Sequence, residues 1–177
     1  LSASSKNHIN ALEINNDIDM DENPVSIKSE FLISLFDQLL KSNDSRLGGG
    51  VGAKDKSIID RCAIKVYGDF LSGKSEYMPT LVDFRNELLR QPEDEAQDLA
   101  LSLEIFTTGS LDAFAHQSDV NTNNRIVAYD ILELGEQMKS IGLLIMLDNI
   151  FNRVMANRRR GKYTRVYVDE AHLYFKN

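Results

Sequence analysis

Apolar residues in this chain hold a helical spacing over most of its length and then change period. Ile27, Phe31, Leu35 and Leu39 recur every four residues, with Phe36 and Leu40 beside them, which predicts an amphipathic helix over 25–41. Asn23-Pro24 marks its start, because Asn caps free amides and Pro suits the first turn. After a glycine-rich stretch at Gly48, Gly49, Gly50 and Gly52, a second helix is predicted from a cap near Asp55 or Ser57. Its apolar positions are Ile58, Ile59, Cys62, Val66 and Phe70. Thr80 and Asp83 read as a capping box opening a short helix through Leu81, Phe84 and Leu88. Pro92-Glu93-Asp94-Glu95 opens another, with Leu99, Leu103 and Phe106 inside and Gly109 at its end.

The period then shifts. Ile126-Val127-Ala128-Tyr129-Asp130-Ile131 reads as a buried strand, and a long helix is predicted from about Glu136 to Arg160, stopped by Gly161. Leu143-Leu144-Ile145-Met146-Leu147-Asp148 imitates a strand, yet Ile150, Phe151, Val154 and Met155 continue it with helical spacing. Arg165-Val166-Tyr167-Val168 reads as a final strand. Strand, helix and strand in that order form a crossover, which implies a parallel sheet. The expected architecture is therefore α/β. Residues 1–24 form a peripheral loop or short strand, 25–115 a helical insertion subdomain, and 116–177 the strand–helix–strand part.

A chain of 177 residues can bury one sizeable core. The net charge of −7 leaves no global basic field for nucleic acid or an anionic membrane. Cys62 is the only cysteine, so no disulfide framework exists and a reducing compartment is expected. No apolar run approaches the roughly 20 residues that span a bilayer. His8 and His116 have no metal-ligand partners at a useful sequence spacing.

The run ending in Asp169-Glu170 carries the strongest chemistry. Mg²⁺ takes hard oxygen ligands and keeps several waters, so one carboxylate at a strand end is enough to hold its shell. Asp169 fits that role, and Glu170, one residue on, fits the orienting of an attacking water. The plain alternative is a strand that ends in a solvated acidic turn.

Gly68-Asp69-Phe70-Leu71-Ser72-Gly73-Lys74-Ser75 matches GxxxxGK[ST] in letter. A phosphate-binding loop follows a strand and opens a helix. Here the preceding residues have helical period and Pro79 follows closely, so the match reads as the end of a helix. Arg158, Arg159, Arg160 and Lys162 form a basic group. Cations at a helix C-terminus explain it, and a DNA contact is the sharper reading.

Together these residues resemble the VirB-type conjugative-transfer and type IV secretion ATPases of the RecA-like P-loop superfamily. The resemblance runs through His8-Ile9-Asn10, Asn23-Pro24, Ile59-Asp60-Arg61, Met78-Pro79-Thr80-Leu81 and Thr108-Gly109-Ser110. It continues through Asn124-Arg125-Ile126-Val127-Ala128-Tyr129-Asp130, Leu134-Gly135 and the run ending in Asp169-Glu170. It implies an internal fragment between the Walker A and Walker B motifs, inactive alone. In the parent protein it implies ATP and Mg²⁺ as cofactors, Asp169 on the metal shell and Glu170 as the catalytic carboxylate. Implied partners are other subunits of a conjugation or secretion machine and further copies of the protein. The implied location is the bacterial cytoplasm, at the inner face of the cell membrane. Two other readings are a DEAH-type helicase using 68–75 as its phosphate loop, since Asp169-Glu170-Ala171-His172 spells that box, and a non-catalytic helical interaction module.

Overall fold

The computed structural model describes residues 8–14, 23–43, 50–120, 124–130 and 134–169. Six helices occur in the order α1 (Pro24–Asn43), α2 (Ala53–Leu71), α3 (Leu81–Leu89), α4 (Asp94–Ser102), α5 (Glu104–Thr107) and α6 (Glu136–Arg159). The Asn23 side chain accepts the Val25 amide at 3.0 Å and so caps α1. Asp55 accepts the Gly52 amide at 2.8 Å, so α2 begins earlier than a cap at Asp55 would place it. The Thr80–Asp83 capping box at α3 is present in both directions. The helix expected through Leu103 and Phe106 is interrupted at Leu103, giving α4 and α5.

The central element is α1, which packs against α2, α4 and α6. Its Leu32, Leu35, Phe36 and Leu39 are fully buried and meet Ile59, Phe84, Leu88 and Leu99 in one core. Burying such side chains contributes about 1.5–3 kcal/mol each, more than an isolated short helix could supply from propensity.

Residues 8–14 run through this body as a buried turn. Ile9, Asn10, Ala11, Leu12 and Ile14 are all buried. Buried backbone groups need partners; Asn10 itself accepts the Leu12 and Glu13 amides, and several of the other groups are met by residues distant in sequence. The Asn10 amide donates to Ser118 Oγ at 2.9 Å, and Asn10 Nδ2 donates to the Pro79 carbonyl at 2.9 Å. The Tyr67 hydroxyl donates to the Leu12 carbonyl at 2.6 Å, and Lys28 Nζ donates to the Ala11 carbonyl at 3.2 Å.

Lys28 is the unusual member. Its ammonium is buried, pairs with Asp148 on α6 and lies 4.8 Å from the Phe31 ring centre. Asn152 Nδ2 also donates to Asp148, at 3.1 Å. Burial pushes the Asp148 carboxyl up and the Lys28 ammonium down from their ordinary values, and their mutual attraction opposes both shifts. A carboxyl raised in this way takes its proton more readily in the fold than in the unfolded chain. Its contribution is present at low pH and falls as pH rises through the folded value.

The expected α/β architecture is not found. The described residues are all-helical and contain no strand, so the parallel sheet and the strand–helix–strand reading of 116–177 are corrected. Residues 126–130 and 165–168 carry no regular secondary structure: a strand requires a paired neighbour, and among the described residues no ladder forms along either. Ile126, expected to be buried, is 85% exposed. Residues 9–14, expected to form at most a short strand, make the buried turn instead; 1–7 and 15–22 lie outside the described residues, as does Ile131. Among the described residues no helix is long and apolar enough to cross a membrane.

Removing one partner of a buried ion pair strands the other charge. Lys28→Met is expected to lose about 3–5 kcal/mol of unfolding free energy, whereas Lys28→Met with Asp148→Leu should recover most of it. Urea unfolding of both variants checks this; equal losses would show that the charges do not depend on each other.

Candidate functional site

Residues 68–75 close α2 rather than open a phosphate site. Gly73 has φ +73°, the left-handed conformation that favours glycine. Its amide donates to the Phe70 carbonyl at 3.0 Å, and the Lys74 amide donates to the Asp69 carbonyl at 2.9 Å. Those two bonds are a Schellman C-cap. The Ser75 amide also turns back to Asp69, at 3.1 Å. A phosphate cradle needs these amides free and pointing at the ligand; all three are used by the helix that precedes them. The Lys74 ammonium lies 3.9 Å from the exposed Asp69 carboxylate.

A polar groove of about 390 Å³ lies beside this turn, between α2 and α3, lined by Lys65, Asp69, Ser75, Asp83, Glu87 and Arg90 among others. No spacing rule joins these positions, and the groove is invisible in the sequence. Its charges answer one another: Lys65 and Arg90 both lie 3.2 Å from Glu87, and Asp83 is held by Thr80.

The second sequence-predicted site lies beyond α6. Gly161, φ +68°, ends that helix with the same device: its amide donates to Arg158 at 3.0 Å, and the Lys162 amide donates to Asn157 at 2.8 Å. The Asn157 side chain then holds Thr164 Oγ1 at 2.8 Å, which sets the direction in which the chain leaves. From Arg165 the backbone is irregular, with Tyr167 84% exposed, and Asp169 lies exposed in a turn. Glu170 lies outside the described residues. An exposed carboxylate there can take the water shell of a Mg²⁺ ion. No group of three His, Cys, Asp or Glu side chains that could hold a metal ion directly occurs among the described residues.

Arg158, Arg159, Arg160 and Lys162 are all exposed at the C-terminal end of α6, where the helix dipole favours cations. Arg125 is also exposed, on the bent segment that Arg153 ties to α6 through the Asn124 carbonyl. One further placement was not legible, the meeting of two histidines, whereas Cys62 takes the core position its helical spacing predicts. His8 and His116 meet edge-to-face at 4.7 Å, and His116 Nε2 lies 2.9 Å from Asp112. Cys62 is fully buried, and burial pushes its thiol up to about 11, so it is a core residue without thiolate chemistry.

Comparison with protein-family models, with curated proteins and with solved structures finds no match for this chain.

The backbone accounting at 73–75 makes a direct prediction. Calorimetric titration of Mg-ATP into this chain should show no binding that depends on Lys74. An affinity present in the wild type and lost in Lys74→Ala would put phosphate on this turn and displace the capping bonds.

Proposed function

We propose that this chain is part of an ATPase that powers conjugative DNA transfer or type IV secretion through Mg²⁺-dependent ATP hydrolysis. The observation that carries the reading is the run from Arg165 into Asp169-Glu170. Asp169 would hold the water shell of a Mg²⁺ ion, which would supply charge neutralisation for the phosphates, and Glu170 would orient the attacking water. The exposure of Asp169 supports this, because a hydrated ion can reach it. The ordered pieces of sequence that resemble the VirB-type ATPases add to it. The helicase alternative is the weaker one, because it requires 68–75 as its phosphate loop, and the amides there are spent on α2.

In this reading the helical body carries the site rather than performing the chemistry, and the phosphate-binding groups come from elsewhere in the active assembly. Its partners are other subunits of the transfer machine and further copies of itself. It works in the bacterial cytoplasm at the inner face of the membrane, and the basic group at Arg158 to Lys162 contributes a DNA contact.

The test uses the full-length protein that contains this chain. Glu170→Gln should lower ATP turnover by about 10²–10⁴-fold with nucleotide binding retained, as loss of a positioned base does. Asp169→Ala should weaken the Mg²⁺ dependence as well, and Lys74→Ala should leave turnover unchanged. Full turnover in both acidic variants would leave only the non-catalytic interaction module.

A further inference from the structure

Two exposed stripes of this molecule complement each other. On α6, Leu147 and Phe151, 42% and 57% exposed, lie one turn apart, and Arg158 continues the same face. On α4 and α5, Asp94, Asp98, Leu101 and Ile105 share one face, with Leu101 65% and Ile105 41% exposed. Among the described residues, Arg158 forms no ion pair, and neither does Asp94 or Asp98. We propose that a second copy of this chain seats its α6 stripe antiparallel on the α4–α5 stripe.

In that alignment the positions coincide. Leu147 faces Ile105, Phe151 faces Leu101, and Arg158 faces Asp94, with the same one-turn and two-turn steps along both stripes. Charge selects the same partner. The chain is acidic overall, a group of cations gathers at the end of α6, and Asp94 stands opposite Arg158 in the aligned pair, with Asp98 one turn further along. α6 also has cause to be covered, because its apolar residues surround the helix while, among the described helices, only α1 packs closely on it. The contact is between unlike surfaces, a greasy centre with a charged end, of the sort whose affinity falls with salt. It stands on these surfaces alone and does not depend on the ATPase reading.

Sedimentation velocity of this chain over a range of concentration and salt tests it, with circular dichroism to confirm that each variant remains helical. Association is expected at low salt and should weaken as salt rises. Arg158→Glu and Asp94→Arg should each weaken it about tenfold, and the double variant should recover it. Phe151→Asp should abolish it. A chain that stays monomeric at every concentration overturns the proposal. So does association that these variants leave unchanged, or a double variant no better than either single one.

Discussion

Burial of the Lys28 ammonium obliges three distant parts of the chain to meet. A desolvated cation needs oxygen acceptors, and the two it finds are the Ala11 carbonyl and the Asp148 carboxylate. The first belongs to the turn at 8–14, the second to α6. Tyr67 of α2 reaches the next carbonyl of the same turn, at Leu12. One small volume therefore fastens α1, α2, α6 and an irregular segment whose own backbone has no regular partner. Apolar burial supplies most of the free energy, but it is nondirectional. The directional bonds around Lys28 and Asn10 select one arrangement of these helices over others with similar apolar burial.

That division explains what could be read in advance. Helix positions and ends are local properties. The four-residue recurrence from Ile27 to Leu39, the Thr80–Asp83 box and the stop at Gly161 each involve residues within a turn of one another, and each appears in the fold. The 8–14 turn is the opposite case. Its partners lie at 28, 67, 79, 114 and 118, and no spacing rule connects them. Ile9 to Ile14 shows only a mixed apolar segment, and Lys28 reads as an ordinary polar position of an amphipathic helix. The break at Leu103 was hidden for a related reason, since a helix and a helix followed by a new turn share the same apolar period.

The strand expectation failed on different grounds. Ile126 to Tyr129 and Arg165 to Val168 have the β-branched and aromatic content that suits a pleated surface. Propensity of that kind describes fitness for a sheet that must already exist. A helix closes its hydrogen bonds within itself, whereas a strand closes them only on a neighbour. Neither segment takes regular structure here, and along 126–130 Val127 and Tyr129 are half-buried while Ile126, Ala128 and Asp130 are exposed. The alternation is genuine and the ladder is missing. The same distinction governs the acidic end. Composition places Asp169 after an extended run, and the fold exposes it, but the groups that would complete a nucleotide site are not local to it.

The two glycine–lysine pairs sharpen the point about motifs. Gly73-Lys74 and Gly161-Lys162 carry the same two letters, and only the first sits in a phosphate-loop pattern. In the fold they are one device. Each glycine takes positive φ where a side chain would be strained, and each lysine amide closes back on the carbonyl five residues earlier. What distinguishes a phosphate loop from a helix cap is therefore not its residue types but which group accepts its amides. At a cap the acceptor is the preceding helix; at a nucleotide site it is a phosphate oxygen. Residues 73–75 have made the first choice, so any nucleotide chemistry near Asp169 must draw its phosphate-binding amides from somewhere other than this turn.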